Sequence, residues 1–251
     1  MQILLTNDDG VSSPSLWALR EELATIGTVT VVAPKSQQSG VGHAITYRRP
    51  VLVDEVSRDG GRAYALSGTP ADCVKFALLE LMSQRPDLVV SGINPGLNLG
   101  CNVFYSGTVA AAMEGALNGV LSVAFSSTPD ATHSPREVAE EATRALSFIL
   151  ARSASLPSLA YNVNLPAPAK EPPEIVFAPH RPDVFQEQYV RAELDGQPGF
   201  RLDLPYGEQT GPGDGCDVLA VQRGKISVTP LRPSLTDDQC LQELNGQATD
   251  S

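Results

Sequence analysis

The sequence contains few cysteines, and their spacing excludes two kinds of site. Only four occur among 251 residues. They are far apart in the chain, at Cys73, Cys101, Cys216 and Cys240. Because no Cys-x-x-Cys pair exists, the spacing argues against a zinc knot and against a thioredoxin-type redox site. We therefore expect reduced thiols of the kind found in cytosolic proteins.

Long apolar runs and clusters of positive charge are also missing. Asp8 and Asp9 interrupt the first apolar segment before the core of a signal peptide could form, and no long uncharged apolar run follows. We therefore expect a cytoplasmic protein without a membrane partner. The formal net charge is −11, from 18 Lys and Arg against 29 Asp and Glu. No basic cluster offsets this charge, which argues against a nucleic-acid duplex as a partner.

Two nucleotide-binding fingerprints are absent as well. No Gly-x-x-x-x-Gly-Lys-Ser/Thr run occurs, so the sequence does not indicate P-loop nucleotide hydrolysis. No Gly-x-Gly-x-x-Gly run follows the first apolar segment, which weakens a dinucleotide-dependent oxidoreductase as an alternative. His43, His133 and His180 are too scattered for a histidine metal cluster. We interpret His43 as structural rather than as a proton carrier.

Alternating strand and helix patterns predict an α/β fold with a mostly parallel sheet. Residues 3–6 and 28–33 are apolar and β-branched, and the leucines between them recur at helical spacing, which indicates a βαβ unit. Further strands are expected at 87–90, 121–125 and 160–165. Further helices are expected at 69–81, 106–119 and 134–149, and a small antiparallel excursion is expected within 44–66.

Beyond about Pro166 the pattern changes to prolines and short alternating segments. We therefore divide the chain into a core at 1–166 and a C-terminal segment at 167–251. Alternation on both sides of 196–199 predicts a β-hairpin arm at about 185–205. Asp217 is expected to cap a short helix before a return strand that packs on the core. The exposed hairpin edges favour pairing with another subunit.

Asp8 and Asp9 are the first candidate functional residues. They directly follow a buried strand, and the carboxyl end of a central strand is where parallel sheets bind ligands. Two adjacent carboxylates are costly to ionise unless a cation lies between them. The alternative is a helix N-cap, because a helix begins shortly afterwards. Taken alone, the segment slightly favours the N-cap.

Ser39 and Asn94 follow two other strands of the predicted sheet, so their loops share an edge with Asp8 and Asp9. Carboxylate, hydroxyl and amide oxygens together suit Mg²⁺, Mn²⁺ or Ca²⁺ rather than Zn²⁺. For Ser39 alone, a turn hydroxyl bonded to nearby backbone is the favoured alternative. For Asn94 alone, an amide that stabilises a turn is an equal alternative.

Ser106, Gly107 and Thr108 open a helix rich in small residues. Free backbone N–H groups and hydroxyls at a helix start can bind an anion, and Gly107 lets the backbone approach a ligand closely. The alternative is an ordinary N-cap, which we would prefer without an adjacent metal site.

Six short motifs carry a family resemblance that extends over nearly the whole chain. They are TNDDG at 6–10, QSG at 38–40, SGINPGLN at 91–98, YSGTV at 105–109, NVNLP at 162–166 and SVTPL at 227–231. In this order they resemble the SurE family, the survival-protein 5′/3′-nucleotidases. Asn102 departs from the family pattern, which often has an acidic residue there, and the hairpin region matches least.

The resemblance implies a Rossmann-like three-layer domain with a C-terminal hairpin arm, exchanged between subunits of a homodimer or homotetramer. It implies a phosphomonoesterase that hydrolyses nucleoside 5′- and 3′-monophosphates, and in some members polyphosphate. It also implies one divalent metal ion per subunit (Mg²⁺, Mn²⁺ or Ca²⁺). The implied metal ligands are Asp8, Asp9, Ser39 and Asn94, of which Asp8 and Asp9 are also the implied catalytic residues. The implied phosphate contacts are Asn98, Ser106, Gly107 and Thr108.

Three alternatives remain open at this point. A non-catalytic, metal-dependent nucleotide sensor could use the same fold. An oxidoreductase would need the dinucleotide fingerprint that the chain lacks. A purely structural oligomer would leave the paired carboxylates without a role.

Overall fold

The strands form one large sheet and one separate hairpin. The computed structural model describes residues 1–58, 61–129, 133–152, 158–167, 169, 171–181, 188–203 and 215–247. The strands are β1 (Gln2–Thr6), β2 (Thr28–Pro34), β3 (Val53–Arg58), β4 (Gly61–Leu66), β5 (Leu88–Pro95), β6 (Leu121–Ser127), β7 (Ala160–Leu165), β8 (Ile175–Phe177), β9 (Gln188–Leu194), β10 (Gln197–Asp203) and β11 (Ile226–Leu231). The helices are α1 (Pro14–Leu23), α2 (Pro70–Phe76), α3 (Gly107–Leu117), α4 (Pro135–Leu150), α5 (Asp217–Gln222) and α6 (Asp238–Gln247).

The centre of the large sheet is parallel. In the described part of the chain its strand order is β3-β4-β2-β1-β5-β6-β7-β11-β8. In this spatial order, every neighbouring pair in the run β4-β2-β1-β5-β6-β7 is parallel. Strand β3 pairs antiparallel with β4, and β11 pairs antiparallel with β7. Strand β1 therefore lies between β2 and β5, and the segments that leave these three strands begin at one edge of the sheet.

Helices cover both faces of the sheet. Ile3 and Leu5 pack in an apolar cluster with residues of α1 and α4, and Leu4 packs on the opposite face with residues of α2 and α3. This separation follows from the two-residue period of a strand, which sends successive side chains to opposite faces. The resulting three-layer arrangement confirms the predicted α/β fold class.

Two helix starts form the capping boxes that the sequence indicates. The Thr69 hydroxyl accepts a hydrogen bond from the Asp72 N–H at 3.1 Å, and the Asp72 carboxylate accepts one from the Thr69 N–H at 2.9 Å. Ser134 and Glu137 make the same reciprocal pair at the start of α4. In both helices a proline occupies the first turn, where its missing N–H is not needed.

Two predicted helices are shorter than expected. The first ends at Leu23, and Ile26 lies in the following turn with 37% of its surface exposed. The second ends at Phe76 and continues as a π-helical turn over Ala77–Leu81. The apolar spacing continues through both segments, but it does not determine which backbone hydrogen bonds form.

Strand β5 is longer than predicted, and this changes where Asn94 lies. The expected loop from Ser91 onward continues the strand to Pro95, with a shift in register between Ser91 and Asn94 relative to β6. Gly92 lies in this interval with φ of 135°, and its Cα packs so closely on the Phe125 carbonyl that a Cβ would not fit. Asn94 therefore lies within the bulged end of a central strand rather than in a free loop.

The C-terminal segment contains the predicted hairpin and two elements that the sequence pattern missed. Strands β9 and β10 pair with each other in a separate sheet, joined at Asp195 and Gly196, which have φ of 51° and 76°. Positive φ at both positions is typical of a two-residue hairpin turn, so the turn is tighter than the expected 196–199. The helix α5 and strand β11 are as expected, whereas β8 and α6 were not predicted. Cys216, rather than Asp217, occupies the N-cap of α5.

No helix in the described ranges combines the length and the apolar character needed to cross a lipid bilayer.

Gly115 shows how closely α3 packs on the sheet. A Cβ at this position would overlap the Ser122 hydroxyl and lie 2.9 Å from a Val89 methyl group. Alanine normally stabilises a helix interior by about 1 kcal/mol relative to glycine. We expect Gly115→Ala instead to lower the free energy of unfolding by about 1–3 kcal/mol through overpacking, measured by urea unfolding.

Gly199→Ala, in strand β10, is the control for an added methyl group without a clash, because the nearest atom to a Cβ there is 3.8 Å away. An unchanged or increased stability of Gly115→Ala would contradict the close packing of α3 on β5 and β6.

Candidate metal and phosphate site

The predicted site residues converge on the carboxyl edge of β2, β1 and β5. Asp8 and Asp9 follow β1, Ser39 follows β2, and Asn94 lies at the end of β5. The Gln38 N–H donates to the Asp8 carbonyl at 2.7 Å, which ties the loop after β2 to the end of β1.

The start of α3 packs directly against Asp8. The Thr108 hydroxyl donates to Asp8 Oδ1 at 2.5 Å. At Gly107 a Cβ would lie 3.0 Å from the Asp8 Cβ and 3.3 Å from the Gln38 carbonyl oxygen. Gly107 is therefore needed for the close approach of the helix N-terminus to the carboxylates.

The N-cap alternative for Asp8 and Asp9 is wrong. Helix α1 begins at Pro14, and its N-cap residue is Ser13. The turn between β1 and α1 is instead closed by Asn7, whose side chain bonds the Gly10 N–H at 3.2 Å and the Gly10 carbonyl at 3.0 Å. This turn leaves both carboxylates at the sheet edge, where neither caps a helix.

The two carboxylates carry an electrostatic cost in this position. Burial raises the pKa of Asp8, and the hydrogen bond from Thr108 opposes that rise. Burial and the neighbouring charge of Asp8 raise the pKa of Asp9 to about 7. Asp9 Oδ2 is buried and has no hydrogen-bond partner among the described residues. A cation at this point would satisfy that oxygen and offset the repulsion.

Ser39 and Asn94 bring polar oxygens to the same edge in different ways. Ser39 is exposed, and its hydroxyl makes no hydrogen bond within the part of the chain that the structure describes, so the expected bond to backbone does not occur there. The Asn94 Nδ2 donates to the Gly96 carbonyl at 2.6 Å. Asn94 therefore stabilises its turn, which was one of the two alternatives for this residue. Its amide oxygen remains available to accept a hydrogen bond or to coordinate a cation.

Ser106 and Thr108 are partly committed to local contacts. The Ser106 hydroxyl accepts from the Val109 N–H at 3.1 Å and so acts as the N-cap of α3. The Thr108 hydroxyl is used by Asp8. Ser106 is therefore an ordinary N-cap, and the helix N-terminus that it caps also packs against Asp8.

Asn98 is held by side chains that the sequence analysis did not assign to the site. Its backbone N–H donates to Asn164 Oδ1 at 2.8 Å, and its side-chain Nδ2 donates to Ser126 Oγ at 2.7 Å. Its carbonyl accepts from Asn162 Nδ2 at 2.7 Å and from Asn164 Nδ2 at 3.1 Å. The NVNLP motif contributes to the family resemblance, but its spacing does not show which loop these asparagines contact.

Asp217 supports the same loop from the C-terminal segment. Its side chain is fully buried, and Oδ2 accepts from the Gly100 N–H at 2.9 Å. Leu99 packs in an apolar cluster with Cys216 and Val218. The loop after β5 is therefore held on one side by β6 and β7 and on the other by α5.

A buried ion cluster also lies beside the loop that carries Ser39. The Glu114 side chain is 4% exposed and is bonded by Lys75 Nζ at 2.7 Å and His43 Nε2 at 2.9 Å. This contact agrees with the structural interpretation of His43. Burial raises the pKa of Glu114, but the hydrogen bonds from His43 and Lys75 outweigh it and hold the pKa at about 2.

The chain has the features of an α/β protein with an oxygen-lined site at the carboxyl edge of its central parallel strands. Comparison with known proteins gives the family. The model of the family "Survival protein SurE" matches residues 3–183. The chain therefore belongs to the SurE family, as the sequence motifs indicated.

The similarity to individual relatives extends over nearly their whole length. "5'-nucleotidase SurE" of Rhodopirellula baltica is 42% identical, over 97% of this chain and 97% of its own. "5'-nucleotidase SurE 1" of Thermus thermophilus is 42% identical, over 98% of this chain and 97% of its own. The crystal structure of the SurE protein from Aquifex aeolicus has a TM-score of 0.82 and 34% identity, and the match covers 99% of this chain and 100% of that one.

The Glu114 cluster gives a pH-dependent contribution to stability. The folded-state pKa of about 2 lies below the ordinary 4.5, so the contribution is present above about pH 4.5 and is lost as the pH falls toward 2. We expect Glu114→Gln to lower the free energy of unfolding by about 1–2 kcal/mol near neutral pH, with the partly exposed partners limiting the effect. The difference from wild type should shrink toward pH 2 in urea unfolding.

The control for this measurement is Glu140→Gln, which breaks an exposed pair with Arg136 and should change stability little at any pH. A loss in Glu114→Gln that stayed constant across this pH range would contradict the charged cluster.

Proposed function

We propose that the protein is a divalent-metal-dependent phosphomonoesterase that hydrolyses nucleoside 5′- and 3′-monophosphates to nucleoside and phosphate. Short polyphosphate is proposed as a further substrate. The names of the relatives, which cover almost the whole chain at 42% identity, support the 5′-nucleotidase activity. The observation that carries the proposal is Asp9 Oδ2, which is buried and unpartnered among the described residues and belongs to the neighbour of Asp8, the residue that contacts the start of α3.

The donor set fits a hard cation. Asp8, Asp9, Ser39 and Asn94 would hold one Mg²⁺, Mn²⁺ or Ca²⁺ ion through carboxylate, hydroxyl and amide oxygens. Within the described ranges, no group of three or more His, Cys, Asp or Glu residues is placed to hold a metal. The site would therefore depend on two carboxylates supplemented by neutral oxygens, which suits an ion that retains water ligands.

The chain's own groups have distinct proposed roles around the phosphate. When bound, the metal would act as a Lewis acid, which would lower the pKa of a coordinated water molecule and offset the negative charge of the phosphoryl oxygens. Asp8 is fixed by Thr108, whereas Asp9 makes no side-chain hydrogen bond within the described residues and is the better placed of the two to accept a proton. The N-terminus of α3 at Ser106, Gly107 and Thr108 would stabilise the phosphoryl oxygens through its N–H groups.

The hairpin arm is the proposed means of assembly. Strands β9 and β10 pair only with each other in the described part of the chain, and Tyr189 and Phe200 on them are 71% and 68% exposed. Exchange of this arm between copies would cover its apolar residues and complete its edges in a homodimer or homotetramer. The proposed location is the cytoplasm, where the free cysteines would remain reduced.

The direct test is phosphate release from purified protein given adenosine 5′-monophosphate or 3′-monophosphate with Mn²⁺. We expect release that a chelator abolishes and that added Mn²⁺ restores. Metal-dependent nucleotide binding without release would favour the non-catalytic sensor instead. Release that survives complete chelation would contradict the metal dependence.

The Asp9→Asn substitution tests the carboxylate pair. It removes one charge with little change in size, so we expect Mn²⁺ affinity to fall about tenfold or more. We expect kcat to fall by about 10²–10³-fold, measured with saturating metal. Calorimetry gives the affinity, and phosphate release gives the rate.

Asp238→Asn is the control, because it removes a carboxylate that is 61% exposed and pairs with Arg232, which follows β11 at the opposite edge of the sheet. Equal Mn²⁺ affinity and rate in Asp9→Asn and wild type would refute the assignment of this residue.

A further inference from the structure

Two buried asparagines at the end of β7 bind the main chain of one loop residue. Asn164 forms a pair of hydrogen bonds with Asn98: its Oδ1 accepts from the Asn98 N–H at 2.8 Å, and its Nδ2 donates to the Asn98 carbonyl at 3.1 Å. Asn162 donates to the same carbonyl at 2.7 Å. We call Asn162 and Asn164 the asparagine clamp.

The clamp holds the backbone of Asn98, and Ser126 holds its side chain. With its N–H and carbonyl both held, Asn98 cannot rotate its peptide groups without breaking buried hydrogen bonds. Its Nδ2 donates to Ser126 Oγ at 2.7 Å. An amide nitrogen carries two hydrogens, so one N–H of this group is left to donate elsewhere.

Packing alone does not explain why two asparagines are buried at these positions. Asn162 and Asn164 are both fully buried, and burying an amide costs free energy unless its polar atoms are bonded. Asn162 Oδ1 has no partner within the described residues, so part of that cost is not offset. Apolar residues at these positions would fill the space without it. We therefore explain the buried asparagines by the one loop geometry that their hydrogen bonds specify.

The clamp joins parts of the chain that are remote in sequence, and it does not contact the proposed metal ligands directly. Asn98 lies 66 residues before Asn164. None of the clamp's hydrogen bonds within the described residues involves Asp8, Asp9, Ser39 or Asn94. Its effect on the site should therefore pass through Asn98 alone.

We propose that Asn164, assisted by Asn162, is a positioning residue for phosphate: it holds Asn98 so that the free side-chain N–H points at the phosphoryl group bound at the start of α3. This inference rests on the proposed function, because Asn98 is one of the four phosphate contacts that the family resemblance implies. A shift of about 1 Å in a positioning group can lower turnover by about 10²-fold. The clamp therefore acts on phosphate recognition and leaves the binding of the cation intact.

The test compares Asn164→Leu with Asn162→Ala. Leucine keeps the branched shape of asparagine but makes none of the hydrogen bonds, so it releases the Asn98 N–H and leaves the Asn98 carbonyl bonded to Asn162 alone. Asn162→Ala removes one donor and leaves the Asn164 pair intact, which provides a milder variant that should fold. We expect kcat/KM for nucleoside monophosphate to fall about 10–100-fold in Asn164→Leu and less in Asn162→Ala.

Binding of inorganic phosphate separates positioning from a loss of structure. Calorimetry of the folded proteins should show phosphate affinity, measured with saturating Mn²⁺, falling in the same order as kcat/KM. The Mn²⁺ affinity itself should change by less than about twofold, because the clamp contacts no metal ligand. The control is Ser122→Ala, which removes the buried 2.9 Å bond from Ser122 Oγ to the Val120 carbonyl at the amino end of β6 and should leave both affinities unchanged.

The outcomes separate this inference from the proposed function. Wild type that binds phosphate but releases none from nucleotides would reject the phosphatase, while weakened phosphate binding in the variants would still support the clamp. Active wild type with unchanged variants would overturn the clamp. A parallel loss of Mn²⁺ affinity, or an equal loss in Ser122→Ala, would overturn it too, because the role would then be structural. Wild type that neither binds nor releases phosphate would overturn both.

Discussion

The repulsion between two adjacent, largely buried carboxylates is the constraint around which this molecule is built. Asp8 and Asp9 follow the central strand β1, and burial raises the pKa of both. Folding alone would protonate or expose such a pair. The chain instead places Asp8 against the N-terminus of α3, where the helix supplies partial positive charge. The proposed cation would complete the compensation that the protein begins.

Several local features serve this one edge. Gly107 lets α3 approach Asp8, and Asn7 closes the turn so that α1 starts later and leaves the carboxylates uncapped. The extension of β5 places Asn94 within a strand, where its neighbours limit its movement. Each feature is modest alone. Together they bring Asp8, Asp9 and Asn94 to one edge of the sheet, where the proposed cation would bind.

The supporting residues were the hardest to foresee. Asn98 could be proposed from its motif, but the clamp of Asn162 and Asn164 could not, because alternating asparagines in a strand do not reveal which loop lies opposite. Glu114 likewise looks like an ordinary helix residue. Its partners come from α2 and from the loop after β2, and only packing brings them together. The hairpin turn and the end of α2 lie at positions that differ from the predicted ones for a related reason, because apolar spacing does not specify which backbone hydrogen bonds form.

By itself the sequence determined the strand and helix alternation, the acidic end of β1 and the motifs that place the chain in the SurE family, because periodicity and turn chemistry are local properties. The tertiary structure decided which strand ends are neighbours, which polar groups lose water and which asparagines hold the site. These depend on contacts between residues as much as 117 positions apart, such as Gly100 and Asp217. Such contacts form when the layers pack, and no local pattern encodes them.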